Sequence, residues 1–358
     1  MRMKSLLTIL IAILLFSATS GLTFAEPGNS LIAELSVKDA FHPDMVGEWY
    51  NEWHYFNVID EDQDLSIITS FKLTGAIPVA EVLLGYDAGE MRNASYYAQF
   101  GPNSLDGTDI TINDNEVILT EKGYEVYVNG TTMDAKWVIF DAIFRPCAEP
   151  SSILTVALSN IGLLNQHDMN WLVASPKMEV TGTFTIIDLI TGEETTYQLN
   201  NARGYHDHNW GHWDWAEIGW NWGQVTQTKH SIKGSDLGTY TVSFGNVMGS
   251  EGTGSVLNVW KNKKIVEEFR DDDVGITHVF ASPFYPPIQT TVNALSKQDN
   301  VAMVFTPEYF IPIPIPFPSG DDLVIWEGFG TYVVEGNIDG KELSYEAKGF
   351  MEYAPNLP

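Results

Sequence analysis

The chain has one cysteine, Cys147, in 358 residues, so no intramolecular disulfide contributes to its stability. It is poor in positive charge: 19 Lys and Arg stand against 47 Asp and Glu, a formal net charge of −28. That excess repels phosphate backbones and anionic lipid, which argues against nucleic acid and charged membrane surfaces as partners. The acids are scattered, with Asp271-Asp272-Asp273 as a short run, and read as a solvated surface. No 3.6-residue apolar period is sustained, and only short segments such as Asn160 to Asn165 suit a helix. Beyond the N-terminal stretch, no run is long and apolar enough for a membrane-spanning helix. Ile311 to Phe317 alternates with prolines. A Walker loop, a dinucleotide fingerprint and a nucleophile elbow are all missing, and no cofactor is expected.

Arg2 and Lys4 precede the apolar stretch Ser5 to Phe16, and Thr23-Phe24-Ala25 fits a small-residue cleavage site. This predicts a secretory signal peptide over residues 1–25, and hence an exported, secreted or extracytoplasmic protein. Left uncut, the same stretch would be an N-terminal anchor and the one route to a membrane surface. Asn93-Ala-Ser95 and Asn129-Gly-Thr131 are glycosylation sequons.

Strand signals fill the rest. Leu65 to Leu73 is β-branched and alternating, and Glu116 to Val128 reads as a hairpin around Lys122-Gly123. Lys177 to Ile190 is a long strand. Ser255 to Trp260 and Ile265 to Phe269 pair around Asn262, and Gly328 to Asn337 pairs with Glu342 to Tyr353 across Asp339-Gly340. Many short strands with regular turns predict an all-β protein, a sandwich or barrel. The chain divides into halves, residues 34–199 and 200–355. Pro307 to Pro318 reads as a polyproline-like connection or lid.

The segment richest in chemistry is Gly204-Tyr-His-Asp-His-Asn-Trp-Gly-His-Trp-Asp-Trp215, followed by Trp220-Asn-Trp222. On a strand, His206, His208 and Trp210 share one face, while Asp207 and Asn209 point to the other. Buried polar groups cost free energy without partners, so the cluster points to a ligand, and the competing reading is a polar network locking two domains together. Three chemistries fit. Two imidazoles of His-x-His can hold a metal, with Asp207 or His212 third. No clear third ligand stands out, so no metal is expected. Asp207, His206 or His208 can act as an acid in an apolar pocket, where burial would keep Asp207 protonated. Tryptophans such as Trp213, Trp215, Trp220 and Trp222 can stack on sugars. Tyr205 and Asn209 join Trp213 and Trp215 as ligand-binding candidates. A second aromatic segment, Glu48 to Phe56, adds Trp53, His54 and Tyr55, with an aromatic plug as its bland reading. Asp168, Asn170 and Trp171 are weaker candidates for a pocket mouth. A cluster serving a ligand predicts that His208→Ala spares the fold.

The Gly204 to Gly211 signature with Trp213-Asp-Trp215 resembles the lipocalin-like carotenoid 1,2-hydratases, or hydroxyneurosporene synthases, whose relatives include AttH-like proteins and fungal Diels–Alderases. Glu52-Trp-His-Tyr-Phe56 resembles that family's Glu-Trp-Trp-Tyr-Phe opening, with His54 in place of a tryptophan. Pro176 and Val180 to Phe184 resemble the stretch closing its first barrel. The resemblance implies two lipocalin-like antiparallel β-barrels side by side, with the signature in the second. It also implies an apolar pocket for an isoprenoid-like or lipid-like molecule, and places catalysis on His208 and Trp210. A Tyr-x-Asp pair of the family falls on Phe244-Gly-Asn246, which lacks both phenol and carboxylate. The proton donor is then expected at Asp207 or a histidine. The activity implied is cofactor-free hydration of a carbon–carbon double bond. A carrier of lipids or pigments and a cyclase or Diels–Alderase-type activity are the alternatives.

Overall fold

The computed structural model describes residues 27–75, 79–88, 91–101, 103–160, 166–215, 218–231, 239–249, 252–282, 285–316 and 322–355. The expected signal peptide lies outside them. Among the described residues one α-helix, α1 (Pro27–Lys38), leads into strands that run to Ala354. The first sheet holds β1 (Tyr50–Asp60), β2 (Leu65–Thr74), β3 (Val79–Ala88), β4 (Met91–Gly101), β5 (Asn103–Asp106) and β6 (Asp109–Ile112). It continues with β7 (Asn115–Thr120), β8 (Gly123–Thr131), β9 (Lys136–Pro146), β10 (Leu154–Asn160), β11 (Gln166–Asp188) and β12 (Glu194–His212). The second sheet holds β13 (Ile218–Thr226), β14 (Tyr240–Gly249), β15 (Thr253–Lys261), β16 (Lys264–Arg270) and β17 (Val274–Val279). Its last strands are β18 (Gln289–Leu295), β19 (Asn300–Pro316), β20 (Asp322–Ile338) and β21 (Lys341–Ala354).

The strand pairings among the described residues are antiparallel, and the order of the first sheet is β4-β3-β2-β1-β12-β11-β9-β8-β7-β6-β5, with β10 on β11. β4 touches β8 and β3 touches β6, so the ends of this sheet curl toward each other. The second sheet runs β16-β15-β14-β13-β21-β20-β19-β18-β17, and β15 meets β17 in the same way. The architecture is all-β with two barrels.

Three apolar clusters follow from this arrangement. One fills the first barrel around Phe56, Phe140, Phe144 and Phe184. One fills the second around Phe244, Phe305, Tyr332 and Tyr345. The third joins the two sheets through Tyr55, Tyr205, Trp213, Trp220, Trp222 and Phe329. Alternation along β1 explains how one strand serves two cores: Phe56 and Val58 enter the first barrel, while Tyr55 and Ile59 enter the junction. Each such buried side chain is worth about 1.5–3 kcal/mol. β13 is buried at all nine positions for the same reason.

Three readings need correction. The change of sheet falls between His212 and Ile218, not at Asn200, because β12 pairs with β11 from Glu194 to His212 and with β1 from Arg203 to His212. The signature therefore belongs to the first sheet. Pro307 to Pro316 is strand rather than a polyproline connection or lid. Pro312, Pro314 and Pro316 share parity, so their missing N–H groups fall on one edge. β18 pairs only as far as Phe305, so among the described residues no second strand pairs with that stretch, and proline is tolerated there. The N-terminal helix is new: Leu31 and Leu35, one turn apart, rest on the first barrel. Of the segment read as helical, Asn160 ends β10 and the rest lies outside the described residues.

Candidate active site

The register of β1 on β12 sets the site. His54 pairs with His208, Phe56 with His206 and Glu52 with Trp210, all facing the first barrel. One residue out of phase, Tyr55 pairs with Asp207, Trp53 with Asn209 and Asn57 with Tyr205, facing the second sheet. The shared face read for His206, His208 and Trp210 is thus present. The candidates divide between two environments on opposite sides of a two-strand wall.

On the inner side, Asp39 at the end of α1 meets three histidines. His206 donates from Nδ1 to the Tyr55 carbonyl at 2.8 Å and presents Nε2 to Asp39 Oδ2 at 2.8 Å. Tyr124 donates to the same Oδ2 at 2.6 Å. His208 reaches Glu52 Oε1 with Nε2 at 2.7 Å and Asp39 Oδ1 with Nδ1 at 3.3 Å. His54 stacks on His208 with centroids 3.9 Å apart, its Nδ1 3.7 Å from Asp39 Oδ1. His42 joins Glu52 Oε1 at 2.7 Å and stacks on Trp210 at 4.5 Å. Tyr50 donates to Glu52 Oε2. Asp39, His54, His206 and His208 are all fully buried. Burial opposes the charge on His208, but Asp39 and Glu52 outweigh it and raise the imidazole to about 9. Burial, then the His208 charge, pushes His54 well below the usual range. Burial also opposes ionisation of Asp39 and Glu52, yet neighbouring imidazoles hold both carboxyls down.

On the outer side lies a narrow cavity of about 50 Å³ between the sheets. Trp53, Tyr55, Trp215 and Trp220 form aromatic walls, and Ile68, Leu83, Ile313 and Ile325 add aliphatic ones. Three acids, Glu81 from the first sheet and Glu327 and Glu352 from the second, and one base, Lys72 from the first, also line it. Glu327 is 1% exposed. Its Oε1 accepts the Tyr55 hydroxyl at 2.9 Å, and its Oε2 has no hydrogen-bond partner among the described residues. Burial, reinforced by Glu352, lifts its carboxyl well above the usual range. Burial takes Glu352 to about 7, although Trp220 donates to its Oε2 at 2.8 Å. Lys72 sits 4.2 Å over the Trp215 ring, its ammonium lowered by burial. Burial thus favours the neutral form of Glu327 and Glu352 in an apolar, aromatic cleft, an arrangement able to donate a proton and to face a cation.

Of the sequence candidates, Trp53, Tyr55, Trp215 and Trp220 line the cavity. Trp213 packs beside them, edge-on to Trp53. Burial lifts Asp207 to about 6, the direction expected though short of protonation at neutral pH, and on the cleft side of the wall it accepts from Tyr205 at 2.9 Å and Asn209 at 3.1 Å without lining the cavity. Neither Asp207 nor His212 can join His206 and His208 around one ion. Asp207 faces the other way, and His212 donates to the Met45 carbonyl at 2.8 Å. Phe244 lies in the second barrel's core and Asn246 donates to Ser255 at 2.8 Å, both off the cavity lining. Asn170 donates to the Trp210 carbonyl at 3.3 Å, and Trp171 is junction packing. Cys147 is half-buried.

Sequence reasoning missed Asp39, Lys72, Glu327 and Glu352. Glu352 sits next to aromatic Tyr353 on an alternating strand, and Glu327 follows Trp326, which are weak signals. Asp39 carries none.

No family model matches the chain, and no curated protein matches it. Solved structures do. A protein described as an AttH from Nitrosomonas europaea superposes with a TM-score of 0.58 at 13% identity, over 94% of this chain and 98% of that one. Kievitone hydratase from Nectria haematococca gives 0.58 at 13% identity, over 87% and 90%. CghA with Sch210972 gives 0.53 at 12% identity, over 85% and 88%. At such identities the likeness speaks for the backbone alone, and the chain shares the two-barrel fold of these three proteins.

Proposed function

We propose that this chain binds an apolar, isoprenoid-like or lipid-like molecule in the cleft between its barrels and adds water across a carbon–carbon double bond. Glu327 would be the acid, in place of the Asp207 or His208 favoured by the local pattern. One observation carries this reading: a carboxyl held protonated by burial, with a free oxygen, in the wall of an aromatic cavity. A neutral carboxylic acid at neutral pH can donate a proton that an ordinary carboxylate lacks. In the proposed step the Glu327 proton adds to one alkene carbon and the π pair forms the new C–H bond. The cation left on the other carbon faces Trp53, Trp215 and Trp220. Water then attacks that carbon, and its extra proton returns to the Glu327 carboxylate. One fold neighbour is named for a hydration, which agrees with this chemistry. Export of the chain is part of the same proposal.

The test is incubation of the protein with a panel of isoprenoid alkenes in ¹⁸O-labelled water. Products carrying the label, lost in Glu327→Gln, support hydration. Ligand retained unchanged by wild type and variant alike would establish a carrier instead, and an isomerised or cyclised product without label would establish a cyclase-type activity.

A further inference from the structure

The inner side of the wall is not needed for the cleft chemistry, yet it concentrates polar groups in the middle of a hydrophobic barrel. Both nitrogens of His54, Nδ1 of His208 and Oδ1 of Asp39 are buried and find no hydrogen-bond partner among the described residues. Leaving such atoms unpaired in a buried site is costly, and here they converge. The ligand atoms of Asp39, His54 and His208 all lie within 4.8 Å of one another. His208 Nδ1 is 3.3 Å and His54 Nδ1 3.7 Å from Asp39 Oδ1. Donors about 2.0–2.1 Å from a tetrahedral zinc ion stand about 3.3–3.4 Å apart, so the distances to Asp39 already suit one centre, and His54 has to turn out of its stack on His208 to aim Nδ1 at it.

We propose that Asp39, His54 and His208 bind a zinc ion inside the first barrel. The donor set, two imidazoles and one carboxylate, suits zinc. The surrounding contacts match what a metal needs of its outer neighbours. His208 turns Nε2 to Glu52, which leaves Nδ1 for the ion, and Asp39 keeps Oδ1 free because His206 and Tyr124 engage Oδ2. The alternative trio of His42, Glu52 and His208 is less suited, because Glu52 Oε1 already serves both imidazoles. The ion would tie the residue following α1 to β1 and β12, a structural pin rather than part of the cleft. This runs against the expectation of no metal: the His-x-His pattern lacked a third ligand locally, and the fold supplies one from Asp39.

The experiment uses the full chain without an affinity tag, expressed in zinc-supplemented or cobalt-supplemented medium and purified without chelator. Elemental analysis should find equimolar zinc, and the cobalt form should show the intense visible bands of a tetrahedral site. Asp39→Asn should abolish retention, and Glu52→Gln should weaken it by about 10–100-fold as a positioning change. Native protein with neither zinc nor a cobalt spectrum would overturn the proposal, whatever the variants do. Equal zinc in native protein and in Asp39→Asn would place the ion elsewhere and overturn it too.

Discussion

The Tyr55 hydroxyl, on the first sheet, donates to Glu327 Oε1, on the second, at 2.9 Å. This single bond spans 272 residues of sequence and joins the two barrels at the cavity wall. It also stabilises the ionised form of Glu327, against the larger effect of burial.

Glu327→Gln keeps the shape of the side chain and removes the acid. Turnover should fall by about 10²–10⁴-fold, the usual range for a lost general acid. The melting temperature should stay near that of the wild type. A variant that turns over at the native rate would move the acid elsewhere, with Glu352 the next candidate.

Tyr55→Phe removes the hydrogen bond that, among the described residues, favours the Glu327 carboxylate. The Glu327 pKa should rise further, and the alkaline limb of the pH–rate profile should move to higher pH. Rates measured from neutral to alkaline pH for both proteins would show it. A limb moving the other way would mean that the tyrosine, not the glutamate, sets it.

Glu352 gives a stability signature. Its folded pKa, about 7, lies above the ordinary 4.5, so the folded state binds a proton that the unfolded state releases. Its stabilising contribution is complete below 4.5 and is lost as pH rises through about 7. Thermal melts between those limits should fall less steeply with pH in Glu352→Gln than in the wild type. Parallel curves would refute the assignment.

His208→Ala should unfold or strongly destabilise the protein, by about 3–5 kcal/mol, because it strips a partner from buried Asp39 and Glu52. The sequence alone suggested the opposite, a ligand-facing histidine that the fold could spare. Chemical denaturation of the variant decides between them.

Much of the strand pattern was readable locally. Asp339 and Gly340 both adopt positive φ, 53° and 70°, as a two-residue hairpin turn requires, and β20 and β21 pair across them. The parity of His206, His208 and Trp210 was equally plain. Which face met which barrel was not, because β12 is buried on both sides and so gives no polar-out signal over its signature. The acids of the cleft were hidden for another reason. Glu327 and Glu352 acquire their chemistry from Tyr55 and from burial against a sheet formed hundreds of residues earlier, and Asp39 meets His206 only through closure of the first barrel.

The shared wall of β1 and β12 limits how this protein can be re-engineered. Most β1 positions are enclosed, so a change made there to admit a new ligand also disturbs the barrel behind it. Ile313 and Ile325 reach the cavity from the second sheet, and Ile68 and Leu83 from neighbouring strands of the first. Reshaping the cleft for a larger guest is therefore best begun at these four aliphatic positions, leaving the double-sided ladder untouched.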